Sequence, residues 1–326
     1  MSQIHSVCAY LVSYNRPELV KQSVGALLSQ TRAVDKIVII DNDSNDETRR
    51  VLNELASPTV EVIFLPENSG GAGGFSLATR LFSGSQFDYA LLLDDDCIAA
   101  PAMVEKLVDG AADHSLDVAN ALVLRSTDRA KIGVGLWPLS RDASFTRPFD
   151  SVADARAFAK TGVILGTLHP FNGTLVSRRV VETVGFIDAR LFIWGDEDDY
   201  VQRIAAAGLR MGVLTDAELT HPPDTKLWRS VFWKFKFYYP KSRLAPIYFR
   251  NRGFLNRKMS FLSSSKMLVK ISAAYLLSGQ AALGLKCVAY YLNGLFNNYE
   301  REPNGNANQR LIERVYANLA KVSSLG

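Results

Sequence analysis

Cysteine is scarce in this chain of 326 residues, and histidine is almost as rare. The three cysteines, Cys8, Cys97 and Cys287, are widely scattered, and no Cys-x-x-Cys pair is present. This pattern argues against a disulfide framework and a structural zinc site, and it is typical of proteins from a reducing compartment. The sequence also shows no basic and apolar leader, so we expect a cytoplasmic location.

Acidic residues are absent from Thr225 to Tyr299, although this segment carries 13 of the 37 lysines and arginines. The rest of the chain has 24 basic and 33 acidic side chains, so the net charge of +4 conceals an acidic body and a basic segment. Such asymmetry indicates a polyanionic partner surface. Trp228–Tyr239 interleaves aromatic rings with cations, which suits the headgroup region of an anionic membrane.

The chain lacks a long uninterrupted apolar run. Met267–Phe296 is apolar, but Lys270 and Lys286 leave a clean stretch of only 15 residues between them. A helix needs about 20 such residues to cross a bilayer, so we expect helices that lie on the membrane surface. The alternative is an ordinary helical subdomain that packs on the rest of the protein.

Standard phosphate-binding and calcium-binding motifs are also absent. The glycine-rich segment Asn68–Phe75 matches neither G-x-G-x-x-G nor a P-loop. Asp41–Asn45 begins like an EF-hand loop, but Asp46 and Leu52 occupy the positions that need glycine and glutamate. The glycines of Asn68–Phe75 would instead let backbone amides approach a sugar or a diphosphate, unless the segment is a flexible surface turn.

Short apolar runs alternate with helical patterns through the first 220 residues, which predicts an α/β fold with a mixed, mostly parallel sheet and flanking helices. The predicted strands include Val7–Ser13, Lys36–Ile40, Val60–Leu65 and Tyr89–Leu93. The predicted helices are Glu18–Ser29, Asp46–Leu55, Phe75–Ser83, Val152–Phe158, Glu197–Ala207 and Arg310–Val322. We expect a sheet-containing domain at residues 1–225 and a mainly helical, basic region at residues 226–326.

Three consecutive aspartates, Asp94, Asp95 and Asp96, follow the apolar run Tyr89–Leu93 without a spacer. Adjacent carboxylates repel one another and are costly to desolvate beside a buried strand, so a cation is needed to compensate them. Mg²⁺ and Mn²⁺ prefer carboxylate oxygens and are commonly shared with substrate phosphates. Because open α/β sheets bind ligands at the carboxyl ends of their strands, we predict a metal and a phosphorylated ligand here. The plainer alternative is a helix N-terminus, where acidic residues are favoured.

A second acidic cluster, Asp196–Asp199, follows Trp194 and Gly195 at the start of a predicted helix. One of its carboxylates is a candidate general base, and Asp199 is spaced to pair with Arg203 one turn later. The Trp194 ring is suited to stacking on a sugar, although simple core packing explains it equally well.

His221 follows a predicted strand and precedes two prolines. We interpret it as a candidate metal ligand, because the aspartate triplet supplies only one face of a metal site, although a lone histidine is more often structural. His5, His114 and His169 have no comparable context, and the sequence assigns them no role.

Taken in order, these motifs resemble those of family 2 glycosyltransferases with the GT-A fold. The Asn68–Phe75, Phe192–Tyr200 and Tyr248–Arg252 segments resemble the galactofuranosyltransferase and rhamnosyltransferase branch of that family. The resemblance covers roughly residues 5–225. The matching segments are Tyr14–Pro17, Asp41–Ser44, Asn68–Phe75, Asp94–Asp96, Phe171–Thr174, Gly185–Asp188, Trp194–Glu197 and His221.

The resemblance implies an inverting, single-displacement transfer from a nucleotide-sugar donor, with Mn²⁺ or Mg²⁺ as cofactor. The implied donor-binding residues are Arg16 and Asp41 at the nucleoside, Asn68 and Gly71 near the diphosphate and sugar, and Asp95 near the ribose or sugar. The implied metal ligands are Asp94, Asp96 and His221, and Trp194 would contact the acceptor. The base would be Asp196 or Glu197, and the choice stays open because the family usually has aspartate at the second position.

We therefore expect an enzyme, bound peripherally at the inner face of the cell membrane, that moves galactofuranose from UDP-galactofuranose to a growing, lipid-linked cell-surface glycan. A rhamnosyltransferase that uses dTDP-rhamnose is the alternative within the family. A nucleotidyltransferase would need a basic glycine loop near the N-terminus, and none is present. The acidic body argues against a nucleic-acid-binding protein. The intact Asp94–Asp96 and Asp196–Glu197 sets argue against a non-catalytic sugar-nucleotide-binding protein.

Overall fold

The computed structural model describes residues 5–136, 149, 151–223, 228–231, 235–238, 244–257, 261–299 and 305–323. Within these ranges a mixed, mostly parallel sheet with flanking helices precedes a mainly helical region, so the predicted fold class is confirmed. The strands of the main sheet are β1 Val7–Ser13, β2 Lys36–Asp41, β3 Val60–Phe64, β4 Tyr89–Asp94, β5 Ile98–Ala99, β6 Val118–Arg125, β7 Asp128–Ile132, β8 Val163–Leu165, β9 Asn172–Ser177 and β10 Met211–His221. The helices of this part are α1 Pro17–Leu28, α2 Asp46–Leu55, α3 Gly70–Ser83, α4 Met103–Asp113, α5 Val152–Phe158, α6 Arg178–Val184 and α7 Asp196–Ala206, with a short 3₁₀ helix at Ala189–Leu191.

The strand order of the main sheet is β3-β2-β1-β4-β9-β6-β10-β5, with β7 beside β6 and β8 beside β10. Strand β1 is parallel to β2 and β4, β2 is parallel to β3, and β6 is parallel to β10. Strand β9 is antiparallel to both of its neighbours, β4 and β6. The carboxyl ends of β1, β2, β4 and β10 therefore lie at the same edge of the sheet.

Alternate residues of β1 belong to two hydrophobic cores on opposite faces of the sheet. The odd-numbered residues from Val7 to Leu11 pack with α1 and α4, and the even-numbered residues from Cys8 to Val12 pack with α3 and α6. All the residues of β1 are buried, as expected for a parallel strand that helices cover on both faces. This packing fixes the carboxyl end of β1, where the polar residues that follow Ser13 begin.

Helix α3 begins at Gly70, so the prediction of a glycine loop that ends before Phe75 is wrong. Glycine is a poor helix former, but this helix packs too closely on its neighbours for a larger residue. A Cβ atom at Gly74 would lie 2.6 Å from Val12 Cγ1. Gly70 has a φ angle of 69°, and a Cβ atom there would clash with the carbonyl group of Phe192. Close packing on distant residues therefore overrides intrinsic helix propensity.

The last third of the chain contains an antiparallel strand pair, which the sequence analysis missed, and four helices in the described ranges. These elements are β11 Trp228–Val231, β12 Phe235–Tyr238, α8 Ala245–Asn256, α9 Phe261–Leu277, α10 Ala281–Leu295 and α11 Asn306–Ser323. Helix α11 begins at Asn306, before the predicted start at Arg310. The side chains of the aromatic and basic segment Trp228–Tyr239 lie outside the described residues.

Helices α8 and α10 cross at close range. A Cβ atom at Gly253 of α8 would clash with the Tyr291 carbonyl group of α10, and one at Gly294 would clash with that of Arg250. Helix α11 returns to the sheet-containing part, where Ile312 is fully buried in the core beside α3. The division of the chain at residue 225 stays a prediction. Among the helices of the described ranges, none has both the length and the hydropathy needed to cross a membrane.

Candidate active site

Segments that follow β1, β2 and β3 interlock at the carboxyl edge of the sheet. The Asn15 backbone N–H donates to Ser44 Oγ at 2.9 Å, and Asn15 Oδ1 accepts from the Asn45 N–H at 2.8 Å. The Ser69 N–H donates to Asn42 Oδ1 at 2.8 Å. These bonds connect the three candidate donor-binding segments into one surface, as their positions at parallel strand ends predict.

Arg16 lies against the acidic triplet. Its Nη1 atom is 3.0 Å from Asp95 Oδ1 and 2.5 Å from Asp96 Oδ2. Asp95 Oδ2 also accepts the N–H of Tyr14 at 3.1 Å. Burial raises the pKa of Asp95 to about 6, and the Arg16 charge opposes this rise without cancelling it. Arg16 therefore compensates part of the negative charge of the triplet, a role that the sequence analysis had not assigned to it.

Asp94 ends β4, and its backbone N–H donates to the carbonyl oxygen of Phe171 at 2.9 Å. Burial raises the pKa of Asp94 well above its usual range, and the charges of Asp96, Asp95 and Glu197 raise it further. No ion pair within the described ranges involves Asp94, and the charge of His221 opposes the rise of its pKa without cancelling it. A cation bound there would compensate the charge of Asp94.

His221 ends β10 and meets the acidic triplet from a strand far along the chain. Its Nε2 atom lies 3.2 Å from Asp96 Oδ1, and its Nδ1 atom lies 2.6 Å from the carbonyl oxygen of Pro222. Burial lowers the pKa of His221, but the contact with Asp96, the Pro222 carbonyl group and the charges of Asp96 and Asp94 together outweigh this effect and raise the pKa overall. Histidines that bind metals usually donate their second N–H to a carbonyl or carboxylate oxygen. The Pro222 contact therefore fixes the His221 ring with Nε2 toward Asp96, as in a histidine that binds a metal through Nε2.

The donor set of Asp94, Asp96 and His221 fits a divalent cation by its chemistry. In the described part of the chain, no three histidine, cysteine or acidic side chains converge in metal-binding geometry. The buried Asp94 carboxyl group, which has no ion pair in the described structure, and the Pro222-bound imidazole are nevertheless features of a carboxylate and histidine site.

Asn120 supports this edge from inside the sheet, and the sequence analysis missed it. Its Nδ2 atom donates to the carbonyl oxygens of Asn172 and Gly173 at 2.9 and 3.0 Å, where β9 departs from regular pairing with β4. Its Oδ1 atom accepts the N–H of His169. These bonds hold the chain around Phe171, whose carbonyl oxygen positions Asp94. The available signal was a lone asparagine in the apolar run Val118–Arg125.

The second acidic cluster begins α7 after an irregular turn. Asp196 is almost fully buried, while Glu197 is partly exposed and its Oε2 atom accepts the N–H of Gly195 at 3.0 Å. Burial raises the pKa of Asp196 well above its usual range, and the charge of Glu197 adds to the rise. Asp199 Oδ2 lies 2.8 Å from Arg203 Nε, in the pair that the sequence spacing predicts.

The two acidic clusters are electrostatic neighbours. Glu197 contributes to the raised pKa of Asp94, and Asp94 contributes to that of Asp196. The fold therefore places the candidate bases Asp196 and Glu197 close enough to Asp94 for their charges to interact, although about 100 residues separate them in the sequence.

The remaining candidates line the same region. Asp41 is fully buried, and its Oδ2 atom accepts the N–H of Ser44 at 3.2 Å, while Oδ1 has no hydrogen-bond partner in the described structure. Asn68 Oδ1 accepts the N–H of Gly70 at 2.8 Å. Gly71 is only partly buried, and a Cβ atom there would meet nothing within 4 Å. Asp41 Oδ1 and the open space at Gly71 are compatible with a bound donor.

Trp194 is partly buried and contacts the helical region. Its ring packs edge-to-face on Tyr248 of α8, with the ring centroids 6.1 Å apart. Trp194 therefore takes part in packing, and its partial exposure leaves part of the side chain accessible.

Comparisons with known proteins agree with this site. The model of the family described as glycosyl transferase family 2 matches residues 8–170. The chain belongs to this family. It is 29% identical to galactofuranosyltransferase GlfT1 of Mycolicibacterium smegmatis over 258 residues, which are 78% of this chain and 84% of the relative. It is 30% identical to GlfT1 of Mycobacterium tuberculosis over 256 residues, 77% of this chain and 82% of the relative.

A more distant relative is the dTDP-rhamnosyl transferase RfbF of Shigella flexneri, which is 24% identical over 224 residues, 66% of this chain and 69% of the relative. Two solved structures share the fold. GalNAc-T7 with UDP, GalNAc and Mn²⁺ has a TM-score of 0.56 at 14% identity, covering 88% of this chain and 55% of that one. S. aureus TarS 1-349 has a TM-score of 0.50 at 13% identity, covering 90% and 72%. The GT-A fold and family predicted from the motifs are confirmed.

This family 2 glycosyltransferase is an enzyme that transfers a sugar from a nucleotide-sugar donor to an acceptor. Family membership therefore argues against the non-catalytic binding protein considered from the sequence.

Proposed function

We propose that this enzyme transfers galactofuranose, with inversion, from UDP-galactofuranose to a hydroxyl group of a growing, lipid-linked cell-surface glycan. The observation that carries the proposal is the identity of 30% to galactofuranosyltransferase GlfT1, which extends over 77% of this chain. Transfer of rhamnose from dTDP-rhamnose is the second candidate, and the similarity to RfbF supports it.

In this proposal the donor nucleotide lies along the carboxyl ends of β1 and β2. Asp41 would bind the base, since its buried Oδ1 atom is available as an acceptor. Arg16 and Asp95 form the charged wall beside the nucleoside and ribose. Asn68 and Gly71 would contact the diphosphate and sugar, because a helix that starts with glycines lets a ligand approach its backbone amides.

Asp94, Asp96 and His221 would hold Mn²⁺ or Mg²⁺. The bound ion supplies Lewis-acid stabilisation of the charge that develops on the departing diphosphate. Arg16 adds positive charge on the same side of the site, since its guanidinium group already contacts Asp95 and Asp96. The bound ion and Arg16 together would place positive charge beside the leaving group.

Glu197 is the proposed general base, and Asp196 the alternative. Glu197 is partly exposed, whereas Asp196 is almost fully buried with a raised pKa. Burial favours the protonated form of Asp196, which cannot accept a proton, so we assign this residue the role of orienting Glu197. Removal of the proton from the acceptor hydroxyl by Glu197 would activate it for attack on the donor sugar. Trp194 would contact the acceptor through its accessible surface.

The proposed location is the inner face of the cell membrane, with α9 and α10 on the lipid surface. Large apolar side chains on these helices are strongly exposed: Val269 and Leu276 by 68% each, Leu277 by 59% and Leu285 by 72%. Lys266, Lys270 and Lys286 are exposed beside them. No acidic residue occurs between Thr225 and Tyr299, so this face complements an anionic lipid surface.

The donor is tested by incubating the protein with UDP-, dTDP- and GDP-sugars and Mn²⁺, and by measuring nucleotide release and the anomeric configuration of the product. We expect release from UDP-galactofuranose and a product of inverted configuration. Release from dTDP-rhamnose alone would establish the second candidate, and a retained configuration would refute the single-displacement mechanism.

A further inference from the structure

The turn Leu191–Gly195 carries the candidate acceptor-binding ring and leads directly to the candidate base. Three of its residues have left-handed backbone conformations, with φ angles of 63° at Phe192, 60° at Trp194 and 118° at Gly195. Such conformations are unfavourable for residues other than glycine, and they persist only where the surrounding structure holds them. The contacts that hold this turn therefore decide where Glu197 lies.

Asn251 of α8 provides the densest set of these contacts. Its side chain is fully buried, and its Nδ2 atom lies 2.6 Å from the carbonyl oxygen of Leu191, 2.9 Å from that of Ile193 and 2.9 Å from that of Trp194. One amide group thus contacts three carbonyl oxygens of the irregular turn, and of these the Leu191 oxygen also accepts the N–H of Ile193 at 2.7 Å. Buried carbonyl groups need such partners.

Arg250 fixes the Asn251 amide and extends the same contact. Its Nε atom donates to Asn251 Oδ1 at 3.1 Å, which directs the amide nitrogen toward the turn. Its Nη2 atom donates to the carbonyl oxygens of Arg190 and Leu191 at 2.8 and 3.1 Å. The planar guanidinium group therefore holds both the turn and the residue that binds it.

Other side chains of α8 contact the neighbouring parts of the same unit. Arg252 Nη1 lies 2.9 Å from Asp198 Oδ2 in the first turn of α7, and Tyr248 packs on the Trp194 ring. Helix α8 therefore contacts the chain on both sides of Glu197. Its own position depends on the close crossing with α10 at Gly253.

We propose that Asn251 and Arg250 are positioning residues, which hold the Leu191–Gly195 turn in the conformation that places Glu197 at the acceptor. The inference rests on the proposed role of Glu197 as the base. It gives the helical region a part in catalysis that is separate from membrane association. A small displacement of a catalytic group can cost about 10²-fold in rate, so these contacts have kinetic consequences.

The test compares Asn251→Ala with Asn256→Ala. Both asparagines lie on α8, but Asn256 Nδ2 faces the Tyr291 hydroxyl group at 3.4 Å and does not contact the turn. Arg250→Lys is the second variant, because it keeps the charge and loses the planar fork that spans the turn and Asn251. For each purified full-length protein, kcat and the KM for the donor are measured with the sugar nucleotide that wild type uses. Hydrogen exchange is measured on the peptide that covers residues 189–199.

We expect Asn251→Ala to lower kcat by about 10–100-fold while the donor KM stays within about twofold. Exchange of the 189–199 amides should accelerate, whereas Asn256→Ala should match wild type in both measurements. Unchanged kcat and exchange in Asn251→Ala and Arg250→Lys would overturn the proposal. The proposal would also be overturned if Asn251→Ala lowered donor binding and thermal stability without accelerating exchange in this peptide more than elsewhere. Such a result would indicate general destabilisation of the protein. Hydrogen exchange needs no sugar donor, so it tests the turn even if the proposed reaction is wrong.

Discussion

Glutamine in place of Glu197 removes the proton acceptor with almost no change of shape. Glu197 Oε2 accepts the N–H of Gly195 at 3.0 Å, and the amide oxygen of glutamine can accept the same bond. The turn is therefore retained while the basic group is lost. A positioned general base contributes about 10²–10⁴-fold, which corresponds to about 3–5 kcal/mol of activation free energy. We expect kcat of Glu197→Gln to fall by that factor, with donor affinity nearly unchanged.

Asp196→Asn is the matched comparison. Burial and the neighbouring Glu197 charge raise the pKa of Asp196, which favours its neutral form, and a neutral carboxyl group resembles an asparagine amide in shape. We therefore expect kcat of this variant to stay within about tenfold of wild type, below the range of a lost general base. Glu182→Gln, an exposed substitution on α6 outside the site, is the control that should leave kcat unchanged.

The assay measures initial rates of nucleotide release at saturating donor, with and without acceptor, and donor affinity by calorimetry. Full activity in Glu197→Gln together with its loss in Asp196→Asn would refute the reasoning and identify Asp196 as the base. A loss in Glu197→Gln that arises entirely from weaker donor binding would instead assign Glu197 to the donor site.

Three further predictions concern the metal site, stability and the membrane face. Asp96→Ala should abolish transfer and weaken Mn²⁺ binding measured by electron paramagnetic resonance; wild-type Mn²⁺ affinity would remove Asp96 from the ligand set. Hydrogen bonds from Ser6 lower the pKa of Asp88, and burial opposes this with a smaller effect. The ionised carboxylate therefore stabilises the fold above about pH 4, and this stabilisation is lost as the pH falls. Asp88→Asn should therefore cost about 1 kcal/mol in urea unfolding at pH 7 and less at pH 3, and an equal cost at both would contradict this. The double variant Leu276→Glu, Leu285→Glu should lose salt-sensitive sedimentation with anionic vesicles. The control Leu28→Glu, at a residue of α1 that is 54% exposed, should keep it. Unchanged sedimentation of the double variant would refute the proposed membrane face.

Sequence patterns predicted β1 and β4 well because both strands are largely buried, whereas β5 to β9 were not predicted. Such strands are continuous apolar runs, as in Val7–Ser13 and Tyr89–Leu93, and the helices between them are amphipathic. The polar segments that follow these runs lie at one edge of the sheet because the strands are parallel. This reasoning brings Asp96 and His221 to the same edge, and in the structure they lie 3.2 Å apart.

The helical start of α3 and the supporting residues were not predictable in the same way. Gly74 and Gly70 of α3 are required by Val12 and Phe192, respectively, and this proximity is a property of the tertiary structure. Asn120 and Asn251 act through backbone carbonyl oxygens, so no pattern of side-chain chemistry marks their partners. Sequence motifs reveal residues that contact a substrate more readily than they reveal the residues that hold those side chains in place.

The donor side and the base side of the site are held by different parts of the fold, and α3 connects them. The Asp94–Asp96 side is built on strand ends fixed by two cores, whereas the turn before Glu197 depends on α8. Phe192 of that turn accepts the N–H of Ala72 at 3.1 Å, and its carbonyl group excludes a side chain at Gly70. A larger residue at Gly70 would displace the proposed diphosphate-binding backbone and the turn before the base together. This coupling explains the glycine at position 70 better than flexibility does, since Gly70 is helical and buried.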